Sequence, residues 1–301
     1  MNKIVKLHLG SHKTATTYLQ NLLDNNRGLL ADRGVTYWPL DVVRPIIHRF
    51  FEFEHLYNGS MLYRVRAGDY ERNIIASQVG GLFQDQNHVI ISDENIFGGC
   101  DDLLRNQFYP DAESRLRMLA KVLPDWPIEV WLSIRRYDDF FSSVYGEGLR
   151  GGHYAPLQEF LSFFAEPKTY WLDSIRRIQR ALPSAKLIVW DFGDFKKLEG
   201  DILQGLTGID PNSLRYPDEK LVRPSASAMA INEAAKEAPQ LTRTQRLQRI
   251  LALEYKYPSG EFAPFRPWQA KDSETLFEAF KQEIELIKRE PGVEFLSISE
   301  D

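Results

Sequence analysis

The tightest constraint on this chain lies near its start, where the apolar run Ile4–Leu9 passes through Gly10-Ser11-His12-Lys13-Thr14-Ala15 straight into an apolar-periodic stretch opening at Thr16-Thr17. A strand, a glycine-led loop and a helix in that order leave backbone N–H groups unpaired at the helix start, beside the positive end of the helix dipole. A loop of this kind receives an anion, and phosphate above all. Lys13 adds a point charge at the same place.

Further short apolar runs at His88–Ser92, Ile128–Ile134 and Lys186–Trp190 read as strands, with a weaker one at Val35–Trp38. Helical periodicity lies between them. It is expected over Thr16–Ala31, Asp69–Phe83, Asp111–Leu123, Tyr137–Leu149, Leu157–Phe164, Lys168–Leu182 and Asp194–Leu206. This alternation predicts an α/β fold, a doubly wound and mainly parallel sheet flanked by helices, whose ligands gather at the carboxyl ends of the strands. From Asp210 onward the pattern turns to Pro-rich turns and charged helices around Ser225–Ala238, Thr242–Tyr257 and Lys271–Arg289, with no strand expected. That region reads as a helical C-terminal cap on the same domain, so residues 1–301 are expected to form one unit.

With 301 residues and 43% hydrophobic content the chain can bury one substantial core. A net charge of −5 argues against a general nucleic-acid or anionic-membrane binder, so anion binding has to be local. The single cysteine, Cys100, forms no internal disulfide framework and suits a reducing compartment as a buried or half-buried thiol. No stretch has the apolar length of a membrane span, and the opening Met-Asn-Lys-Ile-Val-Lys has no signal-peptide core. The expectation is a cytoplasmic protein without nucleic-acid partners or stable membrane insertion. Its oligomeric state is not written in the sequence.

The loop nearly matches the nucleotide-hydrolase pattern of Gly, four residues, Gly-Lys-Ser/Thr, then breaks it. Gly10 and Thr17 fit, but Ala15 replaces the second glycine, Thr16 stands where the lysine belongs, and Lys13 comes three places early. The reading Gly-Ser-His-Lys-Thr-Ala-Thr-Thr instead resembles the phosphosulfate-binding loop of sulfotransferases that use 3′-phosphoadenosine 5′-phosphosulfate (PAPS), usually Lys-Ser/Thr-Gly-Thr-Thr/Ser. A second segment agrees. The strand Ile128–Ile134 ends in Arg135-Arg136-Tyr137-Asp138-Asp139, with Ser142-Ser143 on the next helix, and guanidinium and hydroxyl can face one phosphate. Sulfotransferases place an Arg and, eight residues on, a Ser at this point, and Arg135 and Ser143 keep that spacing. Asp139 falls where the family often has an acid, whereas Arg136 and Tyr137 replace its commoner Asp-Pro. The resemblance covers chiefly Lys3–Pro39 and Val89–Phe164 and thins beyond Arg215.

The resemblance implies sulfuryl transfer without a metal, with PAPS as donor and adenosine 3′,5′-bisphosphate as product. Lys13 would meet the leaving oxygen, the amides of Thr14, Ala15, Thr16 and Thr17 would hold the 5′-phosphate, and Arg135 with Ser143 the 3′-phosphate. For the base, Glu94 in Ser92-Asp93-Glu94-Asn95 resembles the acid of bacterial relatives. His12, inside the loop, is the rival, His153 in a glycine-rich loop is a third candidate, and His8 on the first strand reads as structural. Arg223 and Ser225 precede a helix and either close over the cofactor, as a basic loop does in some sulfotransferases, or cap that helix. The acceptor, a small molecule, carbohydrate or lipid, has no decodable signature in the loops expected around Arg44–Asp69. Two other classes stay open: a P-loop kinase or NTPase, for which Val89–Glu94 would be a strand ending in a magnesium-binding acid, and a nucleotide-binding protein without catalysis.

Overall fold

The computed structural model describes residues 3–59, 61, 73–217 and 225–298. Six strands, β1 (Ile4–His8), β2 (Val35–Trp38), β3 (His88–Ser92), β4 (Ile128–Ile134), β5 (Lys186–Asp191) and β6 (Val293–Leu296), form one sheet in the order β2-β3-β1-β4-β5-β6. Every neighbouring pair is parallel. The chain leaves β1 toward β2 and leaves β4 toward β5, so the loops after these adjacent strands diverge and open a crevice at their carboxyl ends. The α/β expectation holds.

Helices cover both faces, and the inner strands β1, β3, β4 and β5 are buried on both, which is why they read as near-continuous apolar runs. On one face Val5, Leu7, Val89, Ile91, Val130, Leu132 and Val189 join Phe50, Phe97, Phe141 and Trp171 in the larger core. On the other, Ile90, Trp131, Ile188 and Trp190 pack against Leu19, Leu22 and Leu23 of the helix Thr16–Asn25 and Leu198, Ile202 and Leu206 of the helix Phe195–Thr207.

Three details depart from expectation, and a fourth expected element starts outside the described residues. The first helix ends at Asn25 and a second runs Arg27–Asp32, because the Asn26 amide donates to the Leu22 and Arg215 carbonyls and replaces the helical continuation. Leu40–Gly59 is a 20-residue helix that keeps Pro45 inside, although the chain from Arg44 on is expected as loop. Val43, Ile47, Phe50 and Phe51 give it a buried stripe at helical spacing. The expected start of the next helix at Asp69 lies outside the described residues, and 73–81 is helical. The C-terminal region adds the helices Ala228–Glu237, Arg243–Lys256 and Ala270–Ile287, but also β6, which pairs with β5. Among the described residues, no helix is long and apolar enough to cross a membrane.

Candidate anion-binding site

The loop after β1 is shaped by left-handed backbone at Gly10 (φ 41°), Lys13 (φ 66°) and Ala15 (φ 59°). Gly10 is required twice over, since a Cβ there would stand 2.6 Å from the Thr16 hydroxyl in a conformation L residues rarely adopt. Ser11 donates to the Ser133 carbonyl of β4 (2.8 Å), and Thr14, fully buried, donates back to the Ser11 carbonyl (2.6 Å). The helix Thr16–Asn25 starts at Ala15 without any side-chain cap. Its first N–H groups therefore face the loop's concavity with no protein side chain to receive them, which is the geometry that binds a phosphate.

β4 supplies the brace. Arg135 Nη1 donates to the Lys13 carbonyl at 2.6 Å, and its guanidinium carbon lies 5.1 Å from the centre of the Phe192 ring. Burial pulls the Arg135 pKa below its ordinary value. Arg136 points elsewhere, forming a two-point pair with Asp138 (2.7 Å each) and a looser contact with Asp139 (3.7 Å). The helix Tyr137–Arg150 then carries Ser143, half-buried and without a hydrogen bond to Arg135, and one turn later Glu147. Lys13 Nζ is 3.3 Å from Glu147 Oε2.

At the end of β3 a second polar cluster meets the loop. Asp93 is fully buried, holds Arg44 Nη2 and His48 Nε2 at 2.9 Å each, and caps the short turn Glu94–Ile96 through the Asn95 N–H. Burial alone raises the Asp93 carboxyl, but the bonds from His48 and Arg44 outweigh it and hold the group below the usual carboxylate range. Glu94 is half-buried between Gln20 Nε2 (3.2 Å) and Arg44 Nη2 (3.3 Å). His12 is buried, and desolvation lowers its pKa against the pull of Glu94. As a neutral ring its partners assign the tautomer: Nε2–H donates to Asn95 Oδ1 (3.2 Å) and Nδ1 accepts from the Tyr109 hydroxyl (3.0 Å). His12 thus has both nitrogens engaged, whereas Glu94 keeps lone pairs to spare.

The loop, Arg135, Glu94 and His12 therefore converge at the carboxyl ends of β1, β3 and β4, with Thr16 buried and Thr17 exposed at the helix start. His8 is fully buried, bonded through Nδ1 to Ser92 and stacked on Trp190, and burial lowers its pKa to about 4. His153 stands apart beside Arg243 (3.3 Å). Arg223 lies outside the described residues, Ser225 is exposed, and it is Ser227 that caps the helix Ala228–Glu237. Cys100 is a half-buried thiol pushed up by burial. Sequence reasoning missed Arg44, His48, Asn95, Tyr109 and Glu147. The spacing of Arg44 and His48, four apart on a helix with a buried stripe, was the available signal for that pair.

Among the described residues, no group of three or more His, Cys, Asp or Glu side chains is placed to hold a metal ion. A cleft of about 350 Å³ opens elsewhere, across β4, β5 and β6, lined by Trp131, Ile188, Leu296 and the paired Lys186 and Glu294. It shares no residue with the loop.

No protein-family model and no curated protein sequence matches the chain. Among solved structures it is similar to a sulfotransferase from Alicyclobacillus acidocaldarius, with 14% identity over 84% of this chain and 97% of that one, at a TM-score of 0.34. Likeness at that level carries no functional weight, and the residues of the site have to supply it.

Proposed function

We propose that the protein is a sulfotransferase that moves a sulfuryl group from PAPS to a hydroxyl or amine of a small-molecule, carbohydrate or lipid acceptor in the cytoplasm, as a single α/β domain with a C-terminal cap. One observation carries the reading: the displaced lysine sits in a left-handed loop whose carbonyl is held by the arginine at the end of β4. The loop fits a phosphate, since Gly10 lets the chain turn tightly against Thr16 and the uncapped helix start supplies the donors.

When bound, PAPS supplies the activated sulfuryl group. The chain's own task is positioning and charge. The amides of Thr14–Thr17 hold the 5′-phosphate, Lys13 neutralises charge on the departing oxygen, and Arg135 with Ser143 receives the 3′-phosphate. Of the three candidate bases, Glu94 is the best placed to take the acceptor's proton, because His12 is desolvated and bonded at both ring nitrogens and His153 stands apart beside Arg243. A kinase or NTPase would need the acid after β3 for magnesium, and here Asp93 is engaged with both Arg44 and His48.

The test is transfer of labelled sulfate from PAPS to a panel of phenols, sugars and amines, with and without EDTA. EDTA-insensitive transfer that disappears in Lys13→Ala supports the reading. ATP consumption that EDTA abolishes, with no transfer from PAPS, contradicts it.

A further inference from the structure

The loop's lysine already carries an anion. Glu147 Oε2 lies 3.3 Å from Lys13 Nζ, and the same oxygen is 3.4 Å from Arg150 Nη1. Arg150, its side chain 5% exposed, also holds Glu254 Oε1 at 2.5 Å, so charges of alternating sign run from the loop to the helix Arg243–Lys256. Lys13 leaves from a fixed point, because its backbone is left-handed and its carbonyl is pinned by Arg135. Its ammonium moves only on its own four-carbon stem, and to meet a ligand it has to leave Glu147 or share it. An incoming phosphate has to share or take the position that Glu147 holds, and two anions on one half-buried ammonium repel each other.

We infer that Glu147 is a built-in competitor for the donor: its carboxylate occupies Lys13 while the loop is unliganded and passes to Arg150 when the 5′-phosphate end binds. Arg150 is what makes the exchange inexpensive, since the displaced carboxylate keeps a cation at hydrogen-bond distance. Glu147 is thus a positioning residue that acts through Lys13. It lowers donor affinity and helps the bisphosphate product leave. The ligand's identity rests on the sulfotransferase reading, whereas the competition rests on the ion pair.

The experiment is calorimetric titration of adenosine 3′,5′-bisphosphate into the full-length protein at fixed ionic strength, for wild type, Glu147→Gln, Glu147→Asp, Lys13→Ala and the Lys13→Ala/Glu147→Gln pair. Glu147→Gln should bind roughly three- to tenfold tighter than wild type, Glu147→Asp should return most of that gain, and the gain should vanish in the Lys13→Ala background. Equal or weaker binding by Glu147→Gln, or a gain that survives without Lys13, overturns the inference. If Glu147→Gln fails to fold, Glu147→Ala decides by the same criterion: tighter binding than wild type supports competition, and equal or weaker binding overturns it. Absence of binding in every protein removes the donor reading, and this inference with it.

Discussion

Arg135 reaches from the end of β4 to the main-chain carbonyl of Lys13, a 2.6 Å hydrogen bond between residues 122 positions apart. A half-buried guanidinium that braces the loop after β1 can also hold a phosphate of its own, and the two roles separate experimentally. If Arg135 receives the 3′-phosphate, Arg135→Ala should bind adenosine 3′,5′-bisphosphate about as weakly as adenosine 5′-phosphate, a loss of tenfold or more, on the order of 1.5–3 kcal/mol. A parallel fall for both ligands in a titration would assign Arg135 to bracing alone.

Ala15 stands in left-handed backbone at φ 59° and ψ 20°, where its Cβ is strained and glycine is not. Ala15→Gly should stabilise the fold by up to about 1 kcal/mol, partly offset by the entropy glycine loses on folding. Urea denaturation checks this, and a destabilised variant would mean the loop relaxes differently.

Glu283, 2% exposed on the helix Ala270–Ile287, accepts from the Tyr137 hydroxyl and from the Leu172 N–H at 2.9 Å, tying the C-terminal region to the start of the helix Tyr170–Ala181. Burial pushes its pKa up from 4.5 to about 7. A raised folded-state pKa means the contribution is complete below 4.5 and lost as pH rises through 7, a fall of roughly 3 kcal/mol. Denaturation midpoints across pH 4–8 should show this slope in wild type and largely lose it in Glu283→Gln. An unchanged slope would assign the pH dependence elsewhere.

Asp93 holds Arg44, His48 and the Asn95 N–H at the end of β3. Asp93→Ala leaves those donors without their acceptor and should cost about 2–4 kcal/mol, read as a drop in thermal midpoint. Because its folded pKa is lowered, the Asp93 contribution in wild type is present above the ordinary carboxylate range and is lost as pH falls.

What the sequence made legible follows from how local each signal is. β1, β3, β4 and β5 are buried on both faces and announce themselves as apolar runs, whereas β6 is a four-residue edge strand, Val-Glu-Phe-Leu, only partly buried. Pro45 reads as a helix breaker, yet the buried stripe of Val43, Ile47 and Phe50 outweighs the single hydrogen bond it removes. The loop after β1 is legible as a candidate anion site because its donors are backbone groups set by strand, glycine and helix in order. Glu147 is not, since nothing near Lys13 in sequence marks a carboxylate 134 residues away. Arg44 and His48 were hidden for the same reason as their helix.

The most direct measurement is calorimetric titration of the wild-type protein with adenosine 3′,5′-bisphosphate in the presence of EDTA, with Lys13→Ala in parallel. Metal-independent binding at one site, weakened tenfold or more in Lys13→Ala, is the expected result. No binding of the bisphosphate by the folded wild-type protein would contradict the account.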